Sequence, residues 1–113
     1  MRRPLLALTA LIALLPGSLG AAESGDGQAL FQRHCAACHG AAAGGGDKGP
    51  PLVHRIYAPN HHADFSFHRA IEQGVRAHHW RFGNMAPVPD VKRADAEAIV
   101  RWLRERQRAD GIE

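Results

Sequence analysis

The chain has 113 residues, with 45% hydrophobic and 22% charged side chains and a formal net charge of +3 at pH 7. A chain of this length forms a single domain. So small a domain often needs a cross-link or a bound group to complete its core. Arg2 and Arg3 precede an apolar N-terminal run, so the remainder is close to neutral. Without a block of like charges, the composition argues against binding to nucleic acid.

The N-terminus has the pattern of a secretory signal. An apolar run spans residues 5–15, and a helix-breaking Pro-Gly pair and small residues follow it. The run has about a dozen residues, whereas a membrane-spanning helix needs about 20. We predict a cleaved signal peptide over residues 1–22, cut after Gly20 or Ala22, with an uncleaved anchor as the alternative. The mature domain, residues 23–113, is then exported to the periplasm without stable membrane insertion.

The mature part begins with a predicted helix over residues 24–32, with Ser24 or Asp26 as its N-cap. Soon after it, the chain reads Cys-Ala-Ala-Cys-His from Cys35 to His39, which is the C-x-x-C-H pattern of covalent haem attachment. Two thiols at this spacing form thioether bonds to the vinyl groups of one haem. The adjacent histidine then lies beneath the iron as an axial ligand.

Other interpretations of the cysteine pair, Cys35 and Cys38, fit less well. A thioredoxin-like redox pair belongs to a βαβ pattern, which is not evident. A structural zinc site needs four ligands, and the chain has only these two cysteines. A lone disulfide is the remaining alternative. The motif therefore predicts one covalent c-type haem with its iron, and such attachment follows export, in agreement with the signal.

The rest of the chain alternates loops and helices. Glycines and prolines after the motif predict a loop that is mobile in its Gly/Ala-rich part. The remaining elements are, in chain order, this loop over residues 40–51, a helical turn within 52–58, a helix over 64–73 ended by Gly74, an irregular loop over 75–89, and a helix over 91–108 capped by Asp90. No strand pattern is evident, so the predicted fold class is all-α.

This arrangement resembles the class I cytochrome c family over the whole mature chain. The features that carry the resemblance are Gly27-x-x-x-Phe31-x-x-x-Cys35-x-x-Cys38-His39, the segment Gly49-Pro50-Pro51-Leu52, Met85 in a Gly/Pro loop, and an amphipathic last helix with Trp102. The resemblance implies the cytochrome c fold, with three main helices and loops wrapped around one covalently bound haem. It also implies that Trp102 packs where the first and last helices cross.

The resemblance further implies a role for individual residues. His39 and Met85 would be the axial iron ligands, and Cys35 and Cys38 the points of covalent attachment. The carbonyl of Pro50 would accept a hydrogen bond from the His39 ring. Met85 is also the only methionine left once Met1 is removed with the signal.

Groups near the haem edge are also predicted. Trp80 and Arg81 are expected to hold the haem propionates, because arginine pairs with carboxylates and the indole N–H is a donor. Tyr57 is either such a partner or a core residue. His78 or His79 in place of Met85 is the alternative distal ligand.

The chain has eight histidines. Three of them, His61, His62 and His68, are predicted to be polar surface groups or propionate partners. The alternative is that they bind a copper or zinc ion, since imidazole suits both metals.

The function that follows is one-electron transfer through the haem, between periplasmic or membrane-bound redox partners. We expect a monomer that is not an enzyme, with a donor and an acceptor protein that dock transiently. Two alternatives remain: a haem enzyme or ligand sensor with a displaceable distal ligand, and a periplasmic copper-handling haem protein.

Overall fold

The computed structural model describes residues 26–113, so the predicted signal peptide over residues 1–22 lies outside the described part. The helices are, in chain order, α1 (Gly27–His34), α2 (Ala36–His39), a 3-10 helix (Arg55–Tyr57), α3 (Asp64–Gln73) and α4 (Arg93–Ala109). Within residues 26–113 there is no strand, and an isolated antiparallel bridge joins Val75 to Met85. The all-α prediction is confirmed. None of the described helices is long and apolar enough to cross a membrane.

Local capping sets the ends of the first helices. The Oδ1 atom of Asp26 accepts a backbone N–H two residues further on, at 3.0 Å, so Asp26 is the cap that begins α1. The other predicted cap, Ser24, lies outside the described residues. α1 ends at His34 rather than at residue 32, because the N–H of Cys35 still bonds to the carbonyl four residues earlier. The second predicted helix has the expected bounds, Asp64–Gln73.

The start of α4 differs from the prediction. Val91 was expected to open the helix with Asp90 as its N-cap, but the helix begins at Arg93. Lys92 occupies the cap position, and its side chain makes no capping bond to the helix. The N–H of Val91 instead donates to the carbonyl of Val88 at 3.1 Å. Val91 is only 7% exposed. Because Val91 packs into the core, the chain turns at this residue and α4 begins only after it.

α1 crosses α4 at Gly27. A Cβ atom on Gly27 would clash with the carbonyl of Ala98 and come within 2.9 Å of the Trp102 Cβ, so only glycine allows this approach. The rings of Phe31 and Trp102 pack at this crossing, with 4.8 Å between their centroids. The expected position of Trp102 is thereby confirmed.

The hydrophobic core lies between the helices α1, α3 and α4 and the segment that precedes α4. Each large apolar side chain buried there contributes about 1.5–3 kcal/mol. The buried members are Phe31, Ala43, Phe67, Ile71, Val91, Ala96, Ile99, Val100 and Leu103. Because α1, α3 and α4 all contribute, the core holds together the segments that carry the motif and the later loops.

A buried polar network extends the core. Arg104 is 6% exposed and Gln107 is fully buried on α4. The Nε2 atom of Gln107 donates to the carbonyls of Leu52 and Tyr57, at 2.9 and 3.0 Å. The Arg104 guanidinium donates to the Tyr57 carbonyl and to the Asp64 carboxylate, both at 2.7 Å. α4 thus holds the 3-10 segment and the start of α3 in place.

Candidate functional site

The C-x-x-C-H motif lies at a sharp corner of the chain. Cys35 is the junction between α1 and α2, and Cys38 and His39 are in the single turn of α2. Both cysteines are free thiols, half-buried at Cys35 and exposed at Cys38. Burial, with a smaller effect of Cys38, raises the pKa of Cys35 to about 11. The two thiols are therefore unpaired and presented from one short turn.

His39 is held in one tautomer. Its ring is buried, and Nδ1 lies 2.9 Å from the carbonyl oxygen of Pro50. A carbonyl oxygen can only accept a hydrogen bond, so Nδ1 carries the proton and donates to it. The lone pair of Nε2 is then left for a metal. Burial lowers the pKa of His39, and the bond to Pro50 opposes that shift. The neutral ring with a free Nε2 is the form that ligates iron.

The glycine-rich loop delivers Pro50 to this position. Gly49 packs against Cys38, where an added Cβ would lie 2.9 Å from its carbonyl oxygen. The carbonyl of Ala43 accepts two backbone N–H groups, at 2.8 and 3.0 Å, and Ala43 is fully buried. The N–H of Gly45 bonds to the carbonyl of His39 at 2.7 Å. These bonds contradict the predicted mobility of the Gly/Ala-rich part, because its polar backbone groups are tied to neighbouring segments.

Met85 is held by its backbone. It exchanges two hydrogen bonds with Val75, at 2.8 and 2.9 Å, so the chain that leaves α3 pairs with the segment that carries the thioether. Gly74, the C-cap of α3, makes the turn with φ +75° and ψ −178°. That conformation is essentially restricted to glycine. The Met85 side chain is half-buried.

Residues 76–84 form a loop above this bridge. The backbone N–H of Ala77 donates to Oδ1 of Asn84 at 2.9 Å, which closes the loop near its base. Trp80 is half-buried and its ring packs edge-on against His54, with centroids 5.2 Å apart. Its Nε1 atom is buried without a protein hydrogen-bond partner. Arg81 is exposed.

The histidines group differently from the prediction. His61 and His62 lie beside His79, and the ligand nitrogens of these three residues are within 4.8 Å of one another. His68, the third member of the group in the alternative metal-binding interpretation, is on α3, and its buried Nδ1 has no hydrogen-bond partner. The third member therefore comes from the loop rather than from the helix.

These features fit a covalently bound haem. The donor set of the resemblance is two free thiols, an imidazole with a free Nε2 and a thioether, and each is present in the described chain. The Nε1 atom of Trp80 lies near the Tyr57 phenol, where burial raises the pKa and the indole opposes that shift. Nε1 is nevertheless buried without a hydrogen bond, so its N–H is available to a further acceptor. A haem carboxylate supplies such an acceptor.

An all-α domain with a C-x-x-C-H corner and a proline-bonded histidine defines a c-type cytochrome. Residues 24–107 match the sequence model of the family described as cytochrome c, and the chain belongs to that family. Its members carry a covalently bound c-type haem with iron and serve haem-based electron transfer. Searches of curated proteins and of solved structures found no match.

Sequence reasoning missed several residues that support the site. Gln107 was not singled out, although it follows Val100 and Leu103 at helical spacing on the buried face of α4. That spacing was the available signal. Val75 carried no comparable signal, because its pairing with Met85 depends on how the loop folds back.

Proposed function

We propose that this protein is a one-electron carrier with His/Met iron ligation. In this proposal Cys35 and Cys38 attach the haem, and His39 and Met85 bind its iron from opposite faces. The observation that carries it is the hydrogen bond between His39 Nδ1 and the Pro50 carbonyl, 2.9 Å long, in a buried position. It leaves the other ring nitrogen free and oriented, as an axial ligand requires.

The two ligands suit electron transfer rather than substrate chemistry. A bound haem would supply the redox change, and His39 and Met85 would both hold its iron, so that little rearrangement would accompany the transfer of an electron. The soft thioether of Met85 favours ferrous iron and raises the reduction potential. By accepting a hydrogen bond from the Nδ1–H of His39, the Pro50 carbonyl makes Nε2 a stronger electron-pair donor to iron. The two backbone bonds to Val75 fix the main-chain position from which Met85 presents its thioether.

Bis-histidine ligation is disfavoured by the contacts of the loop histidines. The rings of His78 and His79 lie 4.2 Å apart, and His79 packs against His61 and His62 at 5.3 and 5.2 Å. These rings face one another, which leaves Met85 as the better distal ligand. The buried indole of Trp80 is the donor that we assign to a haem propionate, with the exposed Arg81 as a second, more solvated partner.

The experiment compares Met85→Ala with His79→Ala in the haem-loaded protein. We expect Met85→Ala to lose the weak charge-transfer absorption of the sulfur–iron bond in the oxidised state and to lower the reduction potential. His79→Ala should keep both. Absence of the band in the unaltered protein, or its loss in His79→Ala alone, would reject His/Met ligation.

We also propose that the carrier is exported to the periplasm and acts as a monomer between a donor and an acceptor that dock transiently. N-terminal sequencing of the mature protein tests the export. A first residue of Ala21 or Glu23 corresponds to cleavage after Gly20 or Ala22, and an intact Met1 would contradict cleavage and favour the uncleaved anchor.

A further inference from the structure

Four imidazoles from two separate loops meet on one side of the domain. His61 and His62 follow the 3-10 helix, and His78 and His79 are in the loop over residues 76–84. Ring centroids are 4.8 Å apart for His61 and His62, and 5.3 and 5.2 Å from these two to His79. Imidazoles brought together in this way repel one another once protonated, so the grouping needs a physical explanation.

The tautomers of two rings are fixed by the backbone. Nδ1 of His62 lies 2.6 Å from the carbonyl of Ile56, and Nδ1 of His78 lies 2.9 Å from the carbonyl of Arg76. Each Nδ1 therefore carries the proton, and each Nε2 has a free lone pair. A histidine that ligates a metal usually donates its other ring N–H to a carbonyl or carboxylate in this way.

The backbone positions are also held. The N–H groups of His61 and His62 both donate to the carbonyl of Ala58, at 2.9 and 2.8 Å. The carbonyl of His62 accepts a hydrogen bond from the buried guanidinium of Arg104. On the other side, the Val75–Met85 bridge anchors the loop that carries His79. The ligand nitrogens thus stand on two segments that are each tied to the core.

We propose that His61, His62 and His79 bind one divalent transition-metal ion, Zn²⁺ or Cu²⁺, at a site separate from the haem iron. Their ligand nitrogens are within 4.8 Å of one another. Nitrogens bound to one tetrahedral ion at about 2.0 Å stand about 3.3 Å apart, so the three side chains must draw closer together when the ion binds. A solvent molecule takes the fourth position, and oxygen-preferring ions such as Mg²⁺ are excluded by the all-nitrogen set.

Calorimetric titration of Zn²⁺ and of Cu²⁺ into the tag-free, haem-loaded protein tests the proposal. We expect one ion per chain, with a Kd of about 1 μM or below, and no binding of Mg²⁺. His61→Ala, His62→Ala and His79→Ala should each weaken binding by about tenfold or more. His34→Ala is the matched control, because His34 lies at the end of α1, outside the cluster, and its removal should leave the Kd unchanged.

Spectroscopy separates this site from general surface binding. Copper bound by three imidazoles gives nitrogen hyperfine structure in its electron paramagnetic resonance spectrum, which His79→Ala should simplify. His79 is exposed, so this variant is expected to fold, and the haem spectrum checks that it does. Weaker binding than about 100 μM, or a Kd that the three substitutions leave unchanged, would overturn the proposal.

Discussion

Gly74 lies directly against the carbonyl of Met85, so close that an added Cβ atom would overlap the oxygen. The same glycine caps α3 and turns the chain with a positive φ. The end of a helix and the position of the proposed distal ligand are therefore set by one residue. This contact couples the stability of the fold to the ligation of the haem.

Gly74→Ala should affect both properties. We expect a loss of about 1–3 kcal/mol in the free energy of unfolding, because the backbone conformation is restricted to glycine. The clash with the Met85 carbonyl should also weaken the sulfur–iron absorption band of the oxidised protein. Denaturant unfolding and the visible spectrum measure the two effects.

Gly111→Ala is the control for that change. Gly111 has a similar φ of +73°, but nothing lies within 4 Å of the Cβ that would be added. It should lose stability through backbone strain alone and keep the band. An equal loss of the band in both variants would mean that strain, and not the contact with Met85, controls ligation.

Gly27→Ala should separate α1 from α4. The added Cβ would overlap the Ala98 carbonyl, so the helices must move apart and the packing of Phe31 on Trp102 is disturbed. We expect a loss of about 1–3 kcal/mol in the free energy of unfolding, as for other overpacked sites. Gly44→Ala, with no atom within 4 Å of the added Cβ, should leave stability unchanged or slightly raised. Equal losses in the free energy of unfolding for Gly27→Ala and Gly44→Ala would contradict the close contact of α1 with α4 at Gly27.

Gln107→Leu should be costly although it is apolar and similar in size. It removes the donor to the Leu52 and Tyr57 carbonyls. The Tyr57 carbonyl keeps its bond from Arg104, but the Leu52 carbonyl is left unpaired, which costs about 1–3 kcal/mol in the free energy of unfolding. Asp64→Ala removes the ion pair with Arg104, but the Asp64 side chain is 65% exposed and the guanidinium keeps its bonds to two carbonyls and to Gln107, so the loss should be smaller. Thermal or denaturant unfolding should show a larger loss of stability for Gln107→Leu than for Asp64→Ala.

Tyr57 should make the stability fall in alkali. Burial raises the pKa of Tyr57 above its ordinary value. The folded state then keeps the phenol proton longer than the unfolded state. Tyr57 therefore has no effect on the free energy of unfolding at a pH below its pKa in the unfolded state, which is about 10. As the pH rises from there towards the pKa of Tyr57 in the folded state, the free energy of unfolding falls by up to about 1.4 kcal/mol per pH unit.

The measurement is unfolding between pH 9 and the alkaline limit, compared with Tyr57→Phe. It is the only tyrosine of the chain, so ultraviolet titration of the phenol reports this one group. The phenylalanine variant should show a shallower fall. Identical slopes for the two proteins would show that Tyr57 does not titrate differently on folding.

The sequence by itself determined the haem motif, the all-α class and the bounds of α3. Each depends on residues close together in the chain. The spacing of Cys35, Cys38 and His39 is covalent geometry, the Asp26 cap bonds to an N–H two residues away, and Gly74 ends α3 locally. The family resemblance, which correctly predicted the cytochrome c membership, likewise rests on short motifs in a fixed order.

Only the tertiary structure decided which distant residues meet. Gln107 bonds to a carbonyl 55 positions earlier, and helical spacing places it on the buried face of α4 but does not identify that partner. His79 joins His61 and His62, whereas the alternative interpretation of the sequence grouped them with His68, because the loop over residues 76–84 folds back on the bridge at its base. Contacts of this kind depend on how whole segments pack against one another. That packing brings histidines from two distant loops into one cluster.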